Sequence, residues 1–204
     1  MPIIFGIMKK LLNVIPAGIF GLLSVFFALT GILISFVSFP GYNLFFYDVS
    51  YLATGPLGII FDLGLIFSGI VAIPFHFYMN SLIIHESIEP RWRKFTLSLS
   101  LMSSITLSLI GFFPVLTDSI IILIIHGILA LLTFIGITIY CFLYGIFFIK
   151  IAKFPFLNAI LSFLVSAIFI FYFTNRWSLV EWIGVGSIMM WIAYNAIFSL
   201  VNKR

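Results

Sequence analysis

Ten Lys and Arg residues punctuate this chain, and almost all of them fall in every second gap between six long apolar runs. A helix needs about 20 apolar residues to cross ~30 Å of hydrocarbon. Runs of that kind occupy about 14–39, 57–84, 95–114, 119–149, 156–174 and 178–201. The second and fourth exceed the requirement, so tilt or a kink is expected there. Lys9 and Lys10 precede the first run, Arg91, Arg93 and Lys94 separate the second from the third, Lys150 and Lys153 the fourth from the fifth, and Lys203 and Arg204 follow the sixth. Only Arg176 lies in an alternate gap. By the positive-inside rule, the pattern predicts an all-α, multi-pass protein of the cell membrane. Six transmembrane helices form one bundle over residues 1–204, with the N and C termini cytoplasmic.

Composition excludes the soluble alternatives. Hydrophobic residues make up 63% and charged residues 8%, with a mean hydropathy of +1.30, against roughly 25% charge in soluble domains. The spans leave only short connections, hence no appended soluble domain. A net charge of +4 would suggest nucleic acid in a soluble protein. Here the bases flank membrane spans, so membrane lipids are the expected partners, with Arg91, Arg93 and Lys94 as phosphate anchors. No small-residue cleavage site follows the first apolar run, which reads as a retained helix. The single Cys141 rules out an intrachain disulfide and reads as a buried packing residue. Contact of the fifth and sixth spans with a second copy or a membrane-complex partner stays open.

Small residues mark the faces that meet. In the first run Ala17, Gly21, Ser24, Ala28, Gly31, Ser35 and Ser38 share one stripe, the device that lets helices approach closely in lipid. The third offers hydroxyls from Thr96 to Ser108. These could line a polar conduit, but Ser and Thr more readily bond their own helix's carbonyls, and packing is the expected role. In the second run Gly58, Asp62, Leu65, Gly69, Ala72 and His76 fall on one stripe. In the fourth, His126, Ala130, Thr133, Ile137, Tyr140 and Tyr144 do the same. Both stripes are expected to face inward, because an ionisable group facing lipid is costly. Pro74 predicts a kink near residues 69–74.

At about 1.5 Å per residue, Asp62 lies roughly 7 Å and His126 roughly 10 Å below the outer ends of their helices, so the two can meet. A carboxylate beside an imidazole could share a proton, orient a general base or hold a head group; interhelical glue is the bland alternative. His76 sits about 21 Å deeper than Asp62, which argues against a haem held between His76 and His126. Three histidines at different depths or faces make a metal centre improbable, and no cofactor is implied. The chain has no G-x-S-x-G elbow, no H-E-x-x-H and no Walker loop. Asp48, Asp118 and Glu181 read as solvated loop charges, and His85 as a solvated interface residue.

Four short motifs carry a resemblance: Ser50-Tyr51-Leu52-Ala53, Phe61-Asp62-Leu63-Gly64 with Gly69, Gly111-Phe112-Phe113-Pro114, and His126. The chain resembles domain-of-unknown-function family 998 over roughly residues 45–150. That family is similar in having six to seven spans and, in this order, a serine-leucine motif, Phe-Asn-x-Gly, Gly-x-Phe-Pro and a histidine. Asp62 stands where the family has Asn. The resemblance implies that Ser50, Asp62, Pro114 and His126 share one outer-facing constellation, and it implies no biochemical role.

The expected function is therefore non-enzymatic: a lipid-interacting or accessory protein with an outer-leaflet polar pocket. Its ligand-binding candidates are Asp62, His126, Ser50, Tyr51 and Asp48. One rival is an enzyme acting on a lipid-linked substrate, with His126 as base, Asp62 orienting it and Ser50 or a water as nucleophile. Another is a proton-coupled or small-solute transporter, which needs a polar path from His126 through Thr133 and Tyr140 to His76.

Overall fold

A computed structural model describes residues 6, 11, 12, 14–85, 87–115 and 119–202. Lys9, Lys10, Asp118, Lys203 and Arg204 lie outside the described residues. Within them the chain forms α1 (Ala17–Ser38), a short 3-10 helix (Val49–Thr54), α2 (Gly58–Leu82), α3 (Pro90–Ile110), α4 (Ile120–Lys150), α5 (Phe156–Asn175) and α6 (Ser178–Val201). Of the six α-helices, all but α3 are long and apolar enough to cross a membrane, and the molecule is a multi-pass membrane protein.

The apolar runs place these helices to within a few residues, α3 excepted. It begins at Pro90 rather than near 95. Proline at a first helical position has its φ already set and gives up an N–H that would have had no partner. The first turn of α3 therefore carries Arg91, Arg93 and Lys94. Arg91 pairs with Glu89 at 2.7 Å and lies 5.9 Å from the Trp92 ring, so its guanidinium has a protein acid beside it. Pro74 leaves α2 unbroken. Arg176 ends α5 in the left-handed conformation, φ 53°, with its amide bonded to the Tyr172 carbonyl at 2.8 Å.

Each helix packs on the next in sequence, and α6 returns to α1, so the six close into a ring. Alternating direction brings the start of α1 to the end of α6: a Cβ on Gly18 would collide with the Ala196 carbonyl. The other end carries the 39–57 loop and is termed the loop end. The opposite, basic end carries Arg91, Arg93, Lys94, Lys150 and Lys153.

Between helices in lipid the hydrophobic effect gives little, and close packing with interhelical hydrogen bonds must hold the seams, at roughly 0.6–2 kcal/mol per bond. Nearly every seam has such a bond. Ser24 meets Ser68 at 3.1 Å between α1 and α2, and the Ser108 hydroxyl donates to the Ile66 carbonyl at 3.1 Å between α3 and α2. Thr106 meets Thr133 at 2.7 Å, and Ser166 of α5 donates to the Thr138 carbonyl of α4 at 2.9 Å. Asn158 Nδ2 donates to Asn195 Oδ1 at 2.9 Å, and Trp191 Nε1 to the Ser162 hydroxyl at 2.7 Å. Glycine permits the closest approach. A Cβ on Gly64 would stand 2.9 Å from the Gly31 Cα, and one on Gly69 would collide with the Ser104 carbonyl.

Six of the seven hydroxyls of α3 bond back to their own helix, and two of these, Thr106 and Ser108, also reach neighbouring helices. Thr96, Ser100, Ser103, Ser104, Thr106 and Ser108 each donate to a carbonyl three or four residues back. They are packing groups.

Six helices in a ring enclose an axial space, since neighbours 8–10 Å apart set the far side well beyond contact. Towards the basic end that space is filled by Phe75, Met79, Tyr144, Phe148, Phe154 and Trp191, all buried. Towards the loop end it is not filled.

Candidate functional site

The unfilled part is a cavity of about 360 Å³ that all six helices line. Its deepest lining residues include Ser24, His76, Tyr140 and Ile192, past the midpoint of their helices. Its mouth is polar: Asp48 and Ser50 from the loop, His126 from α4, Arg176 from the α5–α6 turn and Glu181 from α6. Arg176 is exposed and Asp48 partly so, which opens the mouth to the surface. The walls below are mostly apolar, with Ile32, Leu65, Phe134, Ile188 and Met189 from four different helices, and carry the hydroxyls of Ser68, Ser103, Ser104 and Thr133.

The loop is shaped by its aromatics. Tyr47 and Tyr51 stack at 4.5 Å with planes 7° apart, and Tyr42 packs edge-on to Phe36, Phe39 and Trp182. The Tyr42 hydroxyl donates to the Asp48 carbonyl at 2.6 Å, and Trp182 Nε1 to the Tyr47 carbonyl at 3.1 Å. Burial pushes the Tyr42 phenol above its ordinary range, keeping it a donor. This cage tucks Val49, Leu52 and Ala53 into the bundle and turns Asp48 and Ser50 toward the mouth. Tyr51, expected in the pocket, serves the cage and is not among the lining residues.

His126 is buried, and its Nδ1 lies 2.7 Å from the Phe113 carbonyl. A carbonyl only accepts, so Nδ1 carries a proton and donates to it. Phe113 belongs to the Gly111-Phe112-Phe113-Pro114 motif. A Cβ on Gly111 would collide with the Asp62 carbonyl, so this motif docks α3 on α2 and hands a carbonyl to His126.

The Asp62 to His126 pairing does not form. No hydrogen bond or ion pair joins them, and Asp62, though buried, does not line the cavity. The lining residues of α2 are Phe61, Leu65, Ser68, Ala72 and His76. Asp62 and Gly69 sit a step round the helix, where their backbone faces α3. The expected α2 stripe thus straddled two faces. On α4, His126, Ala130, Thr133, Ile137 and Tyr140 all line the cavity, and Tyr144 sits in the packed core below.

Glu181 corrects a second expectation. It is 5% exposed rather than solvated. Its Oε2 accepts a hydrogen bond from the Tyr172 hydroxyl at 2.8 Å, and it faces the Asp48 side chain and the Val49 backbone. Tyr172 and Arg176 were also missed as site residues. The signal was a short stretch at the α5–α6 turn, 175–182, that concentrates a base, an acid and two tryptophans.

No hydrogen bond connects Ser50 to His126, although both line the mouth. Among the described residues no group of three or more His, Cys, Asp or Glu is placed to hold a metal ion. The family model described as "Protein of unknown function (DUF998)" matches residues 22–197, well beyond the 45–150 stretch of the short motifs. No curated protein and no solved structure matches the chain.

Proposed function

We propose that this chain, which belongs to the DUF998 family, is a lipid-interacting protein of the cell membrane that holds an amphiphile in its axial cavity. The head group would sit at the mouth and the hydrocarbon part would run inward. Supporting this is one observation: a cavity of about 360 Å³ with charged side chains confined to the mouth and mostly apolar side chains below it, interrupted by Ser68, Ser103, Ser104, Thr133 and His76. Ligand pockets are typically of this size and pattern, mostly apolar with a few placed polar groups. Asp48 and Glu181 suit an ammonium group, and Arg176 suits a phosphate or carboxylate.

In this reading all six helices span the membrane. The low apolarity of α3 comes from the three basic residues of its first turn and from hydroxyls bonded within the helix, and α2 and α4 flank it. The basic end, with both termini, faces the cytoplasm by the positive-inside rule, and Arg93 and Lys94 are the remaining phosphate anchors of α3. The mouth then opens at the outer leaflet. Dense aromatic packing below Tyr140 weighs against a transport path, since it blocks the route past His76.

Native mass spectrometry of the protein extracted in mild detergent tests the reading. Wild type should retain a bound amphiphile, and Ala130→Trp, which fills the cavity from α4, should lose it while remaining folded. Equal retention by a folded Ala130→Trp would reject it. The enzymatic alternative has one observation in its favour, the bond from His126 Nδ1 to the Phe113 carbonyl, which fixes the ring at the cavity mouth. It lacks a bonded nucleophile.

A further inference from the structure

The deep end of the cavity holds a group that neither the mouth nor the apolar walls explain. His76 is 2% exposed and lines the cavity, yet no hydrogen bond reaches its ring, and Nδ1 is fully enclosed without a partner. Buried polar groups almost always find partners, and one left without is costly. The neighbouring Tyr140 ring stands edge-on at 5.4 Å between centroids and lines the same region. Nearby lining residues are Ser24, Ser68, Ala72 and Ser104, where the two α1 and α2 hydroxyls already bond each other at 3.1 Å. The imidazole is therefore an open polar group at this depth, beside the Tyr140 phenol, and no charged side chain lines the cavity around it. Along α4 the separation from His126 to Tyr140 is fourteen residues, roughly 21 Å.

We propose that the cavity selects an amphiphile polar at both ends: a head group at the mouth, an apolar stretch, and at the far end an uncharged hydrogen-bonding group received by His76. A hydroxyl, carbonyl or amide fits this role. A second charge does not, because nothing at that depth would neutralise it and the low-dielectric interior penalises it. The inference rests on the amphiphile-binding reading above and adds the chemical class of the ligand's inner end.

A competition experiment separates the two claims. The detergent-purified protein is incubated with equal amounts of hexadecylphosphocholine and its ω-hydroxy analogue, which share a zwitterionic head and differ only at the chain end. Native mass spectrometry then reads the ratio bound. Wild type should favour the hydroxylated probe by roughly fivefold, the order expected for one added hydrogen bond. His76→Gln, which keeps a hydrogen-bonding head, should retain a preference, and His76→Phe should bring the ratio to about one. Equal binding of both probes by wild type overturns the inner-end recognition and leaves the amphiphile cavity standing. Binding of neither overturns both. The wild-type ratio decides the matter even where a variant fails to fold.

Discussion

The Tyr172 hydroxyl lies 2.8 Å from Glu181 Oε2 and donates to it across the tight α5–α6 turn, burying a carboxyl group beside the cavity mouth. Removing the donor leaves the acid enclosed and short of a partner. Tyr172→Phe should therefore lower stability by about 1–3 kcal/mol. The measurement is thermal unfolding in detergent, and an unchanged midpoint would show that Glu181 finds another donor at no cost. Glu181→Gln keeps an acceptor for the phenol and should be milder.

The glycine crossing of α1 and α2 should tolerate almost nothing. A Cβ on Gly64 meets the Gly31 Cα at 2.9 Å and the Phe27 carbonyl at 2.9 Å. These are backbone atoms that cannot rotate away. Gly64→Val should cost about 1–3 kcal/mol or more and shift the protein toward aggregation in size-exclusion chromatography. Gly127→Val, where a Cβ meets nothing within 4 Å, is the control and should behave as wild type.

The anchoring of His126 makes a different test. His126→Ala removes the contact that ties α4 to the Phe113 carbonyl. It should loosen the α3–α4 connection, read as faster hydrogen exchange around residues 111–115, with the α5–α6 turn unaffected. His126→Asn, able to donate to the same carbonyl, should restore part of the protection.

Alkaline pH should act on the loop through Tyr42. Its folded phenol titrates above the ordinary value of 10.0. The stability tied to its protonated form is fully present below pH 10.0 and is lost as pH rises beyond it. Proteolysis within the 39–57 loop should accelerate above that pH, and Tyr42→Phe should be more susceptible at neutral pH because the bond to the Asp48 carbonyl is gone.

Orientation is open to labelling. Cys141, the native thiol, is fully buried and should stay silent. In intact cells Asn43→Cys should react with a membrane-impermeant maleimide and Ser87→Cys should not. The reverse pattern would invert the proposed orientation.

Much of the framework was legible in the linear chain, because the helix period and the length of hydrocarbon a helix must cross leave few choices. The bounds of α2, α4, α5 and α6 follow from apolar length, and the small-residue stripe of α1 is the face that Gly64 and Ala196 approach. The inward stripe of α4 was readable because five of its cavity residues, His126, Ala130, Thr133, Ile137 and Tyr140, are spaced to lie on one line. The same arithmetic misassigned Asp62. Residues 61 and 62 differ by one step of about 100° round the helix. Periodicity ranks faces and does not say which neighbour each face meets. Only the closed ring settles that: α1 and α3 flank α2 and leave Phe61 rather than Asp62 on the axis, and the closing of α6 onto α1 sets the 49–54 segment beside residue 181. The cavity is likewise a tertiary property. It exists because six helices packed edge to edge enclose more space than the side chains near the loop end can fill.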